Sequence, residues 1–269
     1  MSQKRDDARA KATVEREARQ AEARKKRLII QFGIMAGALA LVGITIAVLT
    51  LPQPAAAAIV SPNNMVTGGF STTDGTPALG EPIDLSTEPL EVPDVEPGVP
   101  RVSVYMDYLC SFCQEFEVNF GPTLTQLAET GGIILEYRPV AILDIARDGY
   151  STRAHNLMSC VADTQPDSFV AVHEKILGAQ KTAPFTNDEL LDMGREAGLT
   201  VTDEIQTCVD DTTFEGWVSA FTAATVQNPS LVNPSTGSFG TPTILINGER
   251  FNGTDLLGAI AAASTSTAE

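Results

Sequence analysis

Asp107-Tyr-Leu-Cys-Ser-Phe-Cys113 joins a strand pattern to a helix pattern and carries two thiols at the joint. Upstream, Arg101-Val-Ser-Val-Tyr-Met106 alternates as a half-buried strand does. Downstream, Phe112, Phe116, Phe120, Leu124 and Leu127 recur at helical spacing; the aromatics are expected in the core, apart from Phe112 between the cysteines. Two thiols at this spacing can close a disulfide across one turn. At a helix start, unpaired backbone N–H groups and the helix dipole favour a thiolate. Cys110 is therefore the candidate nucleophile, on the exposed helix start, and Cys113, one turn inside, its buried partner. The alternative is a static disulfide or half of a zinc site. No second CxxC exists, and His155 and His173, the only histidines, lie in helical patterns that read as surface or satisfied positions. No metal or other cofactor is expected, because the cysteine pair can itself hold the electrons.

The 269 residues allow one good-sized domain plus appendages, and the charge distribution separates them. Residues 1–27 carry ten Lys or Arg against five Asp or Glu, a net of +5. Leu28–Leu51 is a run of 24 uncharged residues, broken only by the polar Gln31, Thr45 and Thr50. As a helix it would be about 36 Å long, enough to cross a bilayer with some tilt. Arg24-Lys-Lys-Arg27 abuts its start, so residues 1–27 are expected in the cytoplasm and the rest outside. A cleavable signal is the rival reading, with small-residue sites at Ala55-Ala-Ala-Ala58, although the apolar run is longer than such signals need. Both readings deliver the domain to an oxidising compartment, which suits an even count of four cysteines. After the span, eight basic residues face 29 acidic ones, which argues against nucleic acid or an anionic membrane surface as a partner of the outer domain.

Residues 52–100 hold nine of the sixteen prolines and are expected to form an extended tether, with its last part, from about Ile83, packing on the domain as an edge segment. A folded domain is expected over residues 101–269. Gly131-Gly132 stops the first helix, which Pro122 is expected to kink, and Ile133–Val140 reads as a second strand. Residues 145–227, approximately, read as a helical block. Pro242–Ile246 is a strand, Asn247-Gly248 a hairpin turn, and Asp255–Ala263 a closing helix.

Tyr105–Phe116, Tyr137-Arg-Pro139 and Gly240-Thr-Pro-Thr-Ile-Leu-Ile-Asn-Gly248 together resemble the DsbA-like thioredoxin family, over about residues 100–263. Within that family the chain resembles the membrane-tethered oxidoreductases of Gram-positive and actinobacterial cell envelopes. It implies an α/β thioredoxin fold with a helical insertion, preceded here by a single transmembrane helix. It also implies a thiol:disulfide oxidoreductase working through Cys110 and Cys113, with reduced exported proteins as clients. A membrane reoxidase of the DsbB or vitamin-K-epoxide-reductase type would restore its disulfide, and the enzyme would act as a monomer. Running the same chemistry as a reductase or isomerase, or a non-catalytic binding module, are the alternatives.

By the same resemblance Pro242 is a cis-proline beside the reactive pair, and Thr241, Pro242 and Phe112 form the client groove. Cys160 and Cys208 would be a structural disulfide stapling the insertion. Asp107 matches a frequent family residue that either assists proton transfer or caps the turn. One departure is that Ser111 and Phe112 stand where many members have proline and the strongest oxidants have histidine, so one source of thiolate stabilisation is absent.

Overall fold

A computed structural model describes residues 59–83, 85, 99–144, 149–179 and 184–266. In it β3 (Arg101–Met106) runs parallel to β4 (Ile134–Pro139), with Val102 opposite Leu135 and Met106 opposite Pro139. Helix α1 (Ser111–Glu129) makes the crossover between them. On the other side of β3 lies β5 (Thr243–Ile246), antiparallel, pairing Thr243 with Tyr105. It turns through Asn247-Gly248 into β6 (Glu249–Arg250). Both turn residues have positive φ, 51° and 82°, a conformation Asn and Gly tolerate and one that suits the twist of a hairpin. α1 continues unbroken through Pro122. It ends where Gly131, at φ 69°, lets the Gly132 N–H bond back to the Leu127 carbonyl at 2.8 Å.

Two expectations need correction. Residues 59–83 are not tether: β1 (Phe70–Thr73) and β2 (Thr76–Pro77) form a hairpin that extends the sheet to the order β2-β1-β4-β3-β5-β6. Phe70 pairs with Tyr137 on β4 and stacks on Phe169, ring centroids 3.9 Å apart, which gives this short strand its apolar anchorage. The second correction is to β3, which is buried on both faces rather than half-buried. The expected span Leu28–Leu51 and the tail before it lie outside the described residues; among the described helices none is long and apolar enough to cross a membrane.

The register explains how both sheet faces are filled. Val102, Val104, Leu135 and Tyr137 share one face, and Tyr137 packs there against Phe169 and His173. Ser103, Tyr105, Glu136 and Arg138 share the other, which is polar yet buried. It is tolerable because every charge is answered. Arg138 donates from Nε and Nη2 to Glu136 at 2.8 and 3.1 Å and from Nη1 to the Tyr105 hydroxyl at 3.1 Å. Glu136 also accepts from Ser103 and Thr67. Burial is the largest single influence and would raise the Glu136 pKa, but the Arg138 charge and hydrogen bonds, the Arg101 charge and the Ser103 hydroxyl together hold the carboxyl below its usual value.

The helical insertion is built around α2 (Tyr150–Thr164), which is buried along most of its length. Around it pack α3 (Phe169–Gly178), α4 (Asn187–Glu196), α5 (Asp203–Asp210) and α6 (Glu215–Gln227), and α7 (Leu256–Ser266) closes the chain after β6. Thr186 and Glu189 form a reciprocal capping box at the start of α4. Cys160 of α2 is bonded to Cys208 of α5, as expected. Asn156 supports that junction, donating to the Cys208 carbonyl at 3.3 Å and accepting from the Phe214 N–H at 2.8 Å. The bridge closes a separation of 48 residues. Replacing both cysteines by Ala should lower unfolding stability by about 4 kcal/mol in denaturant titrations. An unchanged midpoint would mean that α2 and α5 hold together without the staple.

Candidate active site

The C-terminal ends of β3 and β4 and the start of β5 lie side by side, and the cysteine pair sits over them. Cys110 is the N-cap of α1, extended at φ −81° and ψ 112°, with its carbonyl accepting from the N–H groups of Cys113 and Gln114, both at 3.1 Å. No side-chain oxygen caps the helix among the described residues. The Cys110 sulfur makes no capping hydrogen bond either; the free backbone N–H groups of Phe112 and Cys113 favour its thiolate instead. From the β5 side the Thr241–Pro242 peptide, which is cis, closes over it. Cys110 Sγ lies 3.3 Å from the Thr241 carbonyl oxygen, to which it donates when protonated.

Both cysteines are free thiols. A hydrogen bond from the Cys113 thiol lowers the Cys110 pKa most; burial opposes it, and Thr241 and the two backbone N–H groups lower it further, to about 6 from an ordinary 9. Burial pushes the Cys113 thiol far the other way, reinforced by the bond it gives to Cys110. One sulfur is thus held as a thiolate at neutral pH and the other is held protonated.

Cys110 is less open than its place at a helix start implies. It is 6% exposed, because the Thr241 loop covers it, while Phe112 beside it is 68% exposed. Phe116 and Phe120 are half-buried and pack on each other at 5.3 Å. The face of α1 turned inward is instead Cys113, Gln114, Glu117, Gly121, Leu124 and Ala128.

Its polar members find partners on α3. Gln114 donates to the Gly178 carbonyl at 2.8 Å, and the Glu117 carboxylate lies 3.6 Å from His173 Nε2. His173 Nδ1 meets the Tyr108 hydroxyl at 3.0 Å, so a buried Tyr108–His173–Glu117 chain ties both arms of the cysteine turn to the insertion. Neither histidine is on the surface: His155 is also fully buried, against Trp217 and Phe221.

Asp107 is buried, and its main-chain carbonyl accepts the Cys110 N–H at 3.0 Å. Its carboxylate accepts from the Leu109 N–H at 2.8 Å, the Leu143 N–H at 3.0 Å and the Ser151 hydroxyl. Burial raises its pKa, and these three donors oppose the rise. Of the two roles open to Asp107, this geometry carries the structural one. Tyr108, Glu117, Leu143 and His173 were not among the residues expected at the site. Only Glu117 left a trace in the sequence, as a carboxylate one turn beyond Cys113.

A nucleophilic sulfur at a helix start, a buried partner one turn on and a cis-proline loop against the first are the working parts of a thiol–disulfide oxidoreductase of the DsbA-like kind. The thioredoxin family's sequence profile matches residues 99–261, more than half of the chain, and the protein belongs to that family. Among solved structures it is similar to the reduced disulfide bond oxidoreductase DsbG of Mycobacterium tuberculosis. The two are 27% identical, with a TM-score of 0.52, over 63% of this chain and 79% of that one. DsbA of the same organism, in oxidised form, is also 27% identical, with a TM-score of 0.51 over 63% and 84% of the two chains. BdbD of Bacillus subtilis shares the fold at 18% identity and a TM-score of 0.52, over 78% and 97%. No curated protein matches the chain.

Proposed function

We propose that the protein is a membrane-anchored, extracytoplasmic dithiol oxidase that introduces disulfides into exported proteins, with Cys110 the exchanging sulfur and Cys113 the resolving one. The observation that carries this reading is the opposed tuning of the two thiols, Cys110 lowered to about 6 and Cys113 raised by burial. Stabilising the Cys110 thiolate favours the reduced enzyme, and so makes the disulfide form a better oxidant. A client thiolate attacks Cys110 Sγ, the Cys110–Cys113 bond breaks, and Cys113 leaves with the electron pair and takes up a proton. The client's second thiolate then attacks the client sulfur of the mixed disulfide and releases Cys110 as thiolate. Two electrons pass from client to enzyme, and a quinone-coupled membrane reoxidase returns the pair to the disulfide. The charge step across Leu28–Leu51 supports the anchored topology.

Phe112 in place of a histidine favours a second reading, a reductase of the same fold, because it removes a charge that would stabilise the thiolate. The reduction potential of the Cys110–Cys113 pair decides between them. For the oxidase it should lie near or above the −180 mV or so of disulfide isomerases, and a value near −270 mV, that of thioredoxin, would carry the reductase instead. Protease added to intact cells should at the same time remove the domain and spare a tag on residue 1; a protected domain would overturn the topology.

A further inference from the structure

Leu143 stands out among the residues around the cysteine pair: it is a large apolar side chain left 40% exposed, while its own N–H is held by a buried carboxylate. Sheet order places it. β3 lies between β4 and β5, so the segment leaving β4 and the Thr241 loop entering β5 flank the end of β3 on opposite sides. Val140 continues the β3 pairing through its N–H to the Met106 carbonyl at 2.8 Å. Three residues on, the Leu143 N–H reaches Asp107 Oδ2, and Asp107 is also the residue whose carbonyl holds the Cys110 N–H.

The same carboxylate takes the Ser151 hydroxyl at the start of α2, and the Ala141 N–H donates to Thr222 of α6 at 3.0 Å. The Leu143 backbone is thus anchored through Ala141 and through its own N–H, on the opposite flank of the end of β3 from the Thr241 loop, while the Phe112 ring stands open at the helix start. Anchoring the backbone of an exposed leucine lowers the ordering cost of a contact made there.

We infer that Leu143 is a specificity-determining residue, one apolar lip of the client site with Phe112 as the other, and that Asp107 is the positioning residue that holds it there. The preferred client is then a segment with an apolar residue beside its reactive cysteine. This rests on the oxidase reading of the same site. Covering the exposed part of one leucine makes a contribution that corresponds to roughly a three- to eight-fold change in rate or affinity.

The test uses the full-length oxidised protein and two synthetic dithiol peptides that differ only at the residue beside the first cysteine, Leu in one and Ser in the other. The native protein should oxidise the Leu peptide with the higher kcat/KM, mainly through a lower KM. In Leu143→Ser that preference should fall by roughly three- to eight-fold. Val118→Ser, which changes an equally apolar, 68% exposed side chain further along α1, should keep the preference. Asp107→Asn should follow Leu143→Ser, because an amide turned towards the Leu143 N–H presents a donor to a donor.

A preference retained in Leu143→Ser, or lost equally in Val118→Ser, overturns the inference. A preference retained in a folded Asp107→Asn overturns the positioning role alone. If Asp107→Asn does not fold, Leu143→Ser decides. Failure of the native protein to oxidise either peptide counts against the oxidase reading, and so is distinct from a failure to discriminate.

Discussion

Cys113→Ala should accumulate mixed disulfides between Cys110 and exported proteins, visible as adducts that dissolve in reductant, whereas Cys110→Ala should form none and fall to the uncatalysed rate of oxidation. The asymmetry follows from geometry. Cys110 is the sulfur at the helix start against the Thr241 carbonyl, and Cys113, 1% exposed, is beyond a client's reach. In Cys113→Ala the Cys110 thiolate attacks an existing disulfide of an exported protein, that bond breaks and a client thiolate leaves; with Cys113 gone, no internal thiol can resolve the complex, which persists.

The truncation also carries a cost that can be measured separately. The hydrogen bond from the Cys113 thiol is the largest influence lowering the Cys110 pKa, so in Cys113→Ala that pKa should climb from about 6 towards its ordinary value of 9. Cys113→Ser keeps a donor in nearly the same place, and its Cys110 pKa should stay below that of the Ala variant. Thiolate absorbance against pH, or the pH dependence of alkylation, reads this directly. Trapped adducts on Cys113 in the Cys110→Ala protein would reverse the two roles.

Much of this site was legible because it depends on short-range chemistry. The strand-to-helix step around Cys110, the Gly131-Gly132 stop and the Asn247-Gly248 turn are each decided by a few consecutive residues, and each stands where the sequence places it. The fit of Thr241–Pro242 against Cys110 joins residues 131 apart and was reached only through the family resemblance.

What could not be read depends on partners distant in sequence. The stripe Phe112, Phe116, Phe120 has the better helical periodicity, yet Gln114 and Glu117 are the residues turned inward, because the Gly178 carbonyl of the insertion accepts from Gln114 and His173 stands 3.6 Å from the Glu117 carboxylate. Periodicity weighs a glutamate as polar whether or not an imidazole stands opposite it. β1 was missed for a related reason: four residues in a stretch rich in Pro and Gly become a strand only because β4 offers an edge and Phe169 a ring to stack on. Likewise, nothing local marks Glu136 and Arg138 as buried, since what covers them comes from residues 67–71 and from β3.

His155→Phe should make the protein markedly more resistant to acid than the native chain. His155 is fully buried on α2, its ring edge-on to Trp217 of α6 at 5.7 Å and to Phe221 at 6.4 Å, and neither ring nitrogen has a hydrogen-bond partner among the described residues. Burial alone lowers its pKa, from 6.5 to about 3. In the unfolded chain the imidazole takes up a proton near pH 6.5; in the folded protein it does not until about pH 3. Between those values the unfolded state binds more protons at this residue, so the contribution of His155 is constant above pH 6.5 and stability is lost through it as the pH falls through this window.

The whole window corresponds to about 4 to 5 kcal/mol, of which about 2 should be gone by pH 5. Glu136, whose pKa is lowered by Arg138 against the effect of burial, adds acid sensitivity of the same sign at lower pH; Asp107 and Glu174, raised by burial, act in the opposite sense. The informative quantity is therefore the difference between native and variant. Phe matches the aromatic surroundings and brings no nitrogen to desolvate, so the two proteins should diverge in denaturant titrations at pH 5 and diverge further at pH 4. Parallel losses of stability from pH 7.5 to pH 4 would mean that the imidazole reaches a proton acceptor in the folded protein.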